Sequence, residues 1–171
     1  MHLARSTLMA VALSLAASAA FADSPGELLG RAMQVSMTQV ELGKLAQTNA
    51  DSTGVNALGA RIAHDHARIG KMIATVAREK GVTLPTTLDA SHRAVVEALT
   101  AKNGEEFDAA YTEQMVKDQE KAVALFTTAA QSGDSELQQL AKLALPALRE
   151  DGRLAGSFEK LNHDVQPVAR R

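Results

Sequence analysis

An all-α fold, an antiparallel bundle of four long helices with one short extra helix between the second and third, is what this 171-residue sequence predicts. Three observations carry that prediction. Apolar residues recur at three- and four-residue intervals through four long stretches, and nothing alternates with period two over a useful length. Alanine and leucine, both strong helix formers, dominate the composition. Capping residues, glycines and prolines punctuate the chain between the stretches, so the connections are short and consecutive helices must fold back on one another.

The N-terminus reads differently from the rest. Arg5 supplies a positive start, residues 8–17 form an apolar run, and Ala20-Phe21-Ala22 has the small-x-small pattern that signal peptidase requires. The run is too short to span a bilayer, which takes roughly twenty apolar residues. Residues 1–22 are therefore predicted to be a cleaved Sec-type signal peptide, 23–164 the helical bundle, and 165–171 a disordered tail. The chain has no cysteine, so neither a lipid-anchored cysteine nor a disulfide framework is available. The predicted location is the periplasm or the medium, with no membrane span after cleavage.

Each helix has its own boundary signals. Ser24-Pro25-Gly26-Glu27 is a capping box with proline at the first helical position, opening a helix to about Asn49. The second begins near Asp51 or Ser52 and ends at Gly81, which suits a left-handed cap, and Pro85 prevents resumption. Asp89 caps a short helix through Thr100, closed by Asn103-Gly104. The third long helix covers Glu105 to about Ser132, stopped by Gly133. The fourth opens on the Ser135-Glu136-Leu137-Gln138 box and continues to about His163, with a kink expected at Pro146.

Composition narrows the function. The formal net charge is -2, and becomes about -3 once Arg5 leaves with the signal, too weak to imply a polyanionic partner. Aromatic residues make up 3% and tryptophan is absent, so stacking platforms for single strands are missing and no nucleic-acid partner is predicted. Gly-rich phosphate loops, a Gly-x-Ser-x-Gly elbow and His-Glu-x-x-His are also absent, and no catalytic residue is assigned.

The stretch "RIAHDHARIG", residues 61–70, looks like a metal motif, but helical geometry separates its parts. At ~100° per residue His64 and His66 point about 200° apart and cannot share an ion. His66 falls within the apolar stripe of Val55, Leu58, Ile62, Ile69, Ile73 and Val76, whereas His64 faces solvent. The other long helices carry similar interruptions. Gln39 lies between Val35 and Leu42. Asp118 lies between Met115 and Ala122, with Gln119 at the stripe's edge, and Asp151 lies between Leu148 and Ala155. A faint internal repeat sets "IAHDH" (62–66) beside "MVKDQ" (115–119). Every long helix thus brings a polar group inward near its middle, which predicts one central polar cluster of Gln39, His66, Asp118, Gln119 and Asp151.

Several of these segments together resemble a known family. "VELGKLA" (40–46), Asp65-His66, "KGVTLP" (80–85), "FDAAYTEQMVKDQEKAVALF" (107–126) and "LPALRE" (145–150) look like the bacterial ferritin-like domain-of-unknown-function family 4142, whose members are commonly exported and often labelled outer membrane proteins. The resemblance implies a ferritin-like four-helix bundle and brings no established activity. In that family an acidic residue is usual where this chain has Gln39, and histidines where it has Gln119 and Asp151; Asp65 and His66 match. Ferritin-like bundles occur as monomers and as assemblies, so oligomerisation stays open.

Two readings of the cluster follow. A ferritin-like di-iron centre uses a Glu from each of two helices plus two Glu-x-x-His pairs, yet the residue three before His66 is Ala63, so di-iron chemistry is not expected. The favoured reading is a closed network of His66 with Asp151 or Asp118, because unpaired burial costs several kcal/mol. The alternative is a single divalent metal, zinc, iron or manganese, on His66, Asp118 or Asp151 with Gln39, Gln119 or water. An inward histidine also raises a pH response, since imidazole ordinarily titrates near 6.5. Met33 and Met37, one turn apart, are candidate soft ligands for copper(I) and equally suitable as core filler. Glycines 43, 59 and 70 suit close helix approach beside the polar positions, and His92 and His163 read as surface imidazoles.

Overall fold

The computed structural model describes residues 23–165, with side chains described through residue 162. The segment predicted to be a signal peptide and all but the first residue of the predicted tail lie outside the described residues, as does the side chain of His163. Five helices and no strand are present among the described residues: α1 (Pro25–Asn49), α2 (Thr53–Glu79), α3 (Ala90–Thr100), α4 (Gly104–Gln131) and α5 (Ser135–Val165).

The caps explain most boundaries. Ser24 and Glu27 form the reciprocal box, Glu27 accepting from the Ser24 backbone N–H at 2.7 Å. Ser52, rather than Asp51, caps α2 by accepting from the N–H groups of Gly54 and Val55. At the other end Gly81 is left-handed, with φ +66, and the chain turns as a Schellman motif: Val82 N–H donates to Ala77 C=O at 2.8 Å and Gly81 N–H to Arg78 C=O at 3.2 Å. Asp89 caps α3 through the His92 N–H at 2.9 Å.

At α5 the expected box is displaced by one residue. Asp134 accepts from the N–H groups of Glu136 and Leu137, both at 3.1 Å, and Ser135 is the first residue of the helix. The Asp134 carboxylate also pairs with Lys80 at 2.5 Å, tying the start of α5 to the end of α2. Helix α5 runs on through Pro146, which removes one N–H from its ladder without ending it.

Contacts between helices run in opposite senses along the chain. Ser36 of α1 lies near Gly70 of α2, whereas Gly43 meets Gly59 and Ala63. Asn162, late in α5, donates to the Asp108 C=O at 3.3 Å and to Thr112 Oγ1 at 3.1 Å, early in α4. Helix α1 packs chiefly on α2 and α4 on α5, with α3 lying mostly against α1. The carboxylate of Asp108, buried in α4, accepts from the backbone N–H groups of Asp51 at 3.2 Å and Ser52 at 2.8 Å and so pins the α1–α2 turn.

The apolar interior forms two lobes. One gathers Leu29 from α1, Ile69 and Ile73 from α2, Phe126 from α4 and Leu137 and Leu148 from α5. The other gathers Leu42, Ile62, Leu99, Phe107, Tyr111, Met115 and Ala155. Along each long helix the boundary between lobes falls on the polar residue at its middle: Gln39, His66, Gln119 and Asp151, all buried. The bundle therefore has a polar waist between two hydrophobic halves.

Candidate functional site

Four helices build this waist because each keeps its apolar spacing on both sides of one polar substitution. In α2 the step from Ile62 through His66 to Ile69 preserves one face. In α4 the same steps run from Tyr111 and Met115 through position 119 to Ala122. Gln119 consequently occupies the inward position, 1% exposed, and Asp118 sits on the flank facing α1. The sequence reading had these two reversed. The stripe is set by the four-residue steps from 111 and 115, and 119 continues them, whereas 118 lies about 100° away.

The predicted cluster divides into three cross-helix pairs. His66 and Gln119 meet through their Nε2 atoms at 3.2 Å, joining α2 to α4. Gln39 Nε2 donates to Asp118 Oδ2 at 3.0 Å, joining α1 to α4; Asp118 also accepts from Gln114 Nε2 at 2.8 Å and lies 3.7 Å from Lys121 Nζ. Asp151 Oδ1 accepts from Arg61 Nε at 2.8 Å, joining α5 to α2. Thus the histidine is bonded to an amide, and the expected pairing of His66 with Asp151 or Asp118 is replaced by His66 with Gln119 and Asp151 with Arg61. Positions 65 and 118 of the internal repeat both lie at the rim, with side chains 14% and 15% exposed, and positions 66 and 119 meet in the interior.

Sequence reasoning missed Arg61. Its guanidinium is 44% exposed while its Nε reaches the fully buried Asp151, so its stem follows the apolar face and its head stays partly in water. The available signal was its place directly before Ile62 on the inward stripe, together with an i, i+4 partner in Asp65, 3.8 Å away. His64, by contrast, stands exposed at 79%, as the helical geometry requires.

Burial dominates the electrostatics. It pushes the His66 imidazole down to about 4, against the opposing effects of the Gln119 hydrogen bond and the Asp65 charge, so the ring is neutral at pH 7. It pushes the Asp151 carboxyl up to about 6, with Arg61 pulling the other way, and it also raises the Tyr111 hydroxyl, helped by the Asp151 charge. These two waist residues act oppositely on stability. His66 binds its proton more readily when unfolded, so its contribution is lost as pH falls from about 6.5 toward 4. Asp151 binds its proton more readily when folded, so its contribution is lost as pH rises from about 4 through 6.

Interior pairing is incomplete. Ser36 Oγ, Gln39 Oε1, His66 Nδ1, Tyr111 Oη, Gln119 Oε1 and Asp151 Oδ2 are buried without a hydrogen-bond partner among the described residues. Four of the six lie at the waist, one from each long helix; Ser36 lies one turn from it in α1, and Tyr111, two turns from it in α4, is stacked on Phe107 at 5.4 Å. This donor set does not fit a di-iron carboxylate centre: position 63 is alanine, and the unpartnered oxygens are amide and hydroxyl oxygens apart from a single carboxylate. Among the described residues no three His, Asp or Glu side chains come together as metal ligands would.

A family model described as "Domain of unknown function (DUF4142)" matches residues 10–156. The chain belongs to this DUF4142 family. No curated protein and no solved structure matches it. The match takes in the whole waist, helices α1 to α4 and α5 as far as Gly156, and its description assigns no chemistry to the waist. No helix among the described residues is long and apolar enough to cross a membrane.

Proposed function

We propose that this chain is an exported, non-catalytic bundle of ferritin-like antiparallel arrangement, serving the cell envelope, whose polar waist fixes how the helices register. The opposite-sense contacts of α1 with α2 and α4 with α5 support the antiparallel arrangement. The observation that carries the structural role is that His66, Asp118 and Asp151 each bond to a different partner on a different helix. A one-turn slip of any long helix would set a buried polar group against an apolar lobe, at several kcal/mol. Export rests on the signal-like residues 1–22.

A second reading, a mononuclear divalent metal at the waist, is favoured by the unpartnered Asp151 Oδ2 and the two glutamine oxygens, an oxygen set that together with the His66 ring suits zinc, iron or manganese. Fractionation and elemental analysis of the full chain expressed in a bacterium test both. The expected result is periplasmic protein beginning at Asp23 with zinc, iron and manganese well below one equivalent. Retention in the cytoplasm with the N-terminus intact would overturn export. One equivalent of metal that disappears in His66→Ala would overturn the purely structural waist.

A further inference from the structure

We propose that the cleft between α1 and α2 beneath residues 86–88 binds a small uncharged molecule with an apolar body and a carbonyl oxygen, such as an amide, ester or ketone. The carbonyl accepts from Nδ1–H of His66 and from the hydroxyl of Ser36. Such a site needs no metal at the waist.

Two of the six unpartnered interior atoms, Ser36 Oγ and His66 Nδ1, belong to residues that line this one cleft, the first from α1 and the second from α2. Both residues are almost wholly buried. The donor character of the histidine follows from its other nitrogen. The Gln119 amide nitrogen meets His66 Nε2 at 3.2 Å, and an amide nitrogen can only donate, so Nε2 accepts. Burial keeps the ring neutral at pH 7, and its single proton is then on Nδ1. Facing helices thus bring two donors to one cleft, and each costs ~1–3 kcal/mol while it stays unsatisfied. One carbonyl oxygen has two lone pairs and can accept from both.

The rest of the cleft favours an apolar, uncharged guest. Its volume is about 270 Å³. Sites for drug-sized ligands run from ~300 to 1,000 Å³, so the guest is no larger than a single ring or a short chain. Met33, Met37 and Val40 of α1 and Leu88 of the roof supply half-buried apolar walls. The two methionines, each with three rotatable bonds, can turn aside to admit a guest and close on its apolar part. Charge is confined to Glu41 and Lys44 among the described lining residues; both are exposed and they are opposite in sign. A carboxylate or an ammonium reaching the two buried donors would therefore meet no counter-charge there. The roof is already fixed by Gln34, whose Nε2 donates to the Thr87 C=O at 3.0 Å and whose Oε1 accepts from the Asp89 N–H at 3.1 Å, so little ordering remains to be supplied on binding.

Three probes of nearly equal shape separate carbonyl recognition from its alternatives: acetophenone, α-methylstyrene, in which a methylene replaces the oxygen, and benzoate. Each is titrated into the full metal-free chain carrying ¹⁵N-labelled histidine and ¹³C-labelled methionine methyls, and followed by NMR. The expected result is a Kd on the order of 1 mM for acetophenone, with His66 Nδ1 and the methyls of Met33 and Met37 moving and that of Met115 still. Both α-methylstyrene and benzoate are expected to bind about 10-fold more weakly or worse. Ser36→Ala, which removes an unpaired hydroxyl and so spares the fold, should weaken acetophenone about 5-fold and leave α-methylstyrene unchanged. Gly70 lines the same cleft, and a Cβ there meets only Ser36 Cβ, at 3.8 Å. Gly70→Leu is therefore expected to fill the cleft and abolish binding with helical circular dichroism retained. Equal affinity for acetophenone and α-methylstyrene, tighter binding of benzoate, shifts that persist in Gly70→Leu, or no shift at about 10 mM acetophenone would each overturn the site. None of these outcomes touches the structural reading of the waist, which is tested by zinc, iron and manganese content.

Discussion

Arg61→Met is expected to lower the unfolding free energy by ~3 kcal/mol at pH 7.5 and by distinctly less at pH 5. Methionine keeps the aliphatic stem that covers the stripe and removes only the guanidinium. The carboxylate of Asp151 is then left with no partner: Arg61 Nε, at 2.8 Å, is its one bonded donor, and its second oxygen has none. Even with Arg61 present, burial raises this carboxyl to about 6, so at pH 5 it takes up a proton and the loss of the cation matters less. Urea unfolding at the two pH values measures the difference. A loss below ~0.5 kcal/mol at both would show that Asp151 is solvated and that the waist is wet.

The second large effect belongs to the seam between α1 and α2. A Cβ on Gly59 would lie 2.4 Å from Ala46 Cβ and 2.9 Å from the Gly43 carbonyl oxygen, and one on Gly43 would lie 2.4 Å from the Gly59 carbonyl oxygen. Helix propensity alone favours alanine by ~1 kcal/mol. The overlap is with the Ala46 Cβ and a backbone carbonyl, neither of which can rotate aside, so Gly59→Ala is expected to destabilise by ~3 kcal/mol net. Adding Ala46→Gly removes the first of its contacts and should recover part of that loss, which a double-mutant cycle of melting curves reads directly. Gly30, in α1 with nothing within 4 Å of its would-be Cβ, is the control: alanine there should stabilise by ~1 kcal/mol.

The helices and their limits were legible because local chemistry sets them. Ser24 with Glu27, Asp89 and the left-handed Gly81 act within a turn of themselves, and the structure places each as the sequence indicates. The exception at α5 has the same local cause: Asp134 and Ser135 can both cap, and the carboxylate there also reaches Lys80 on α2, a contact that no local pattern reveals. The two glycines of the α1–α2 seam were readable as small residues beside polar positions. Gly70 was not separable from them by sequence, and its would-be Cβ meets Ser36 at an ordinary 3.8 Å.

The waist was legible as a level in the bundle but not as a set of partners. Helical period fixes which residue points inward to within about one position, which is why His66 was placed and Gln119 and Asp118 were exchanged. Partner choice depends on side-chain reach between helices. Arg61 reaches Asp151 because its long stem lets a rim residue donate into the interior, and an inward-pointing criterion passes over it. With that donor taken, His66 turns to the amide of Gln119. The pH response expected of an ordinary imidazole moves accordingly, from near 6.5 to about 4.

A dry waist is most directly tested by ¹⁵N NMR of the His66 ring between pH 8 and pH 4 in the folded, metal-free chain. Two nitrogen shifts of a neutral imidazole, steady down to about pH 5 with a protonation midpoint near 4, are expected from complete burial against Gln119. A folded-state midpoint near 6.5, the value of an imidazole in water, would contradict it.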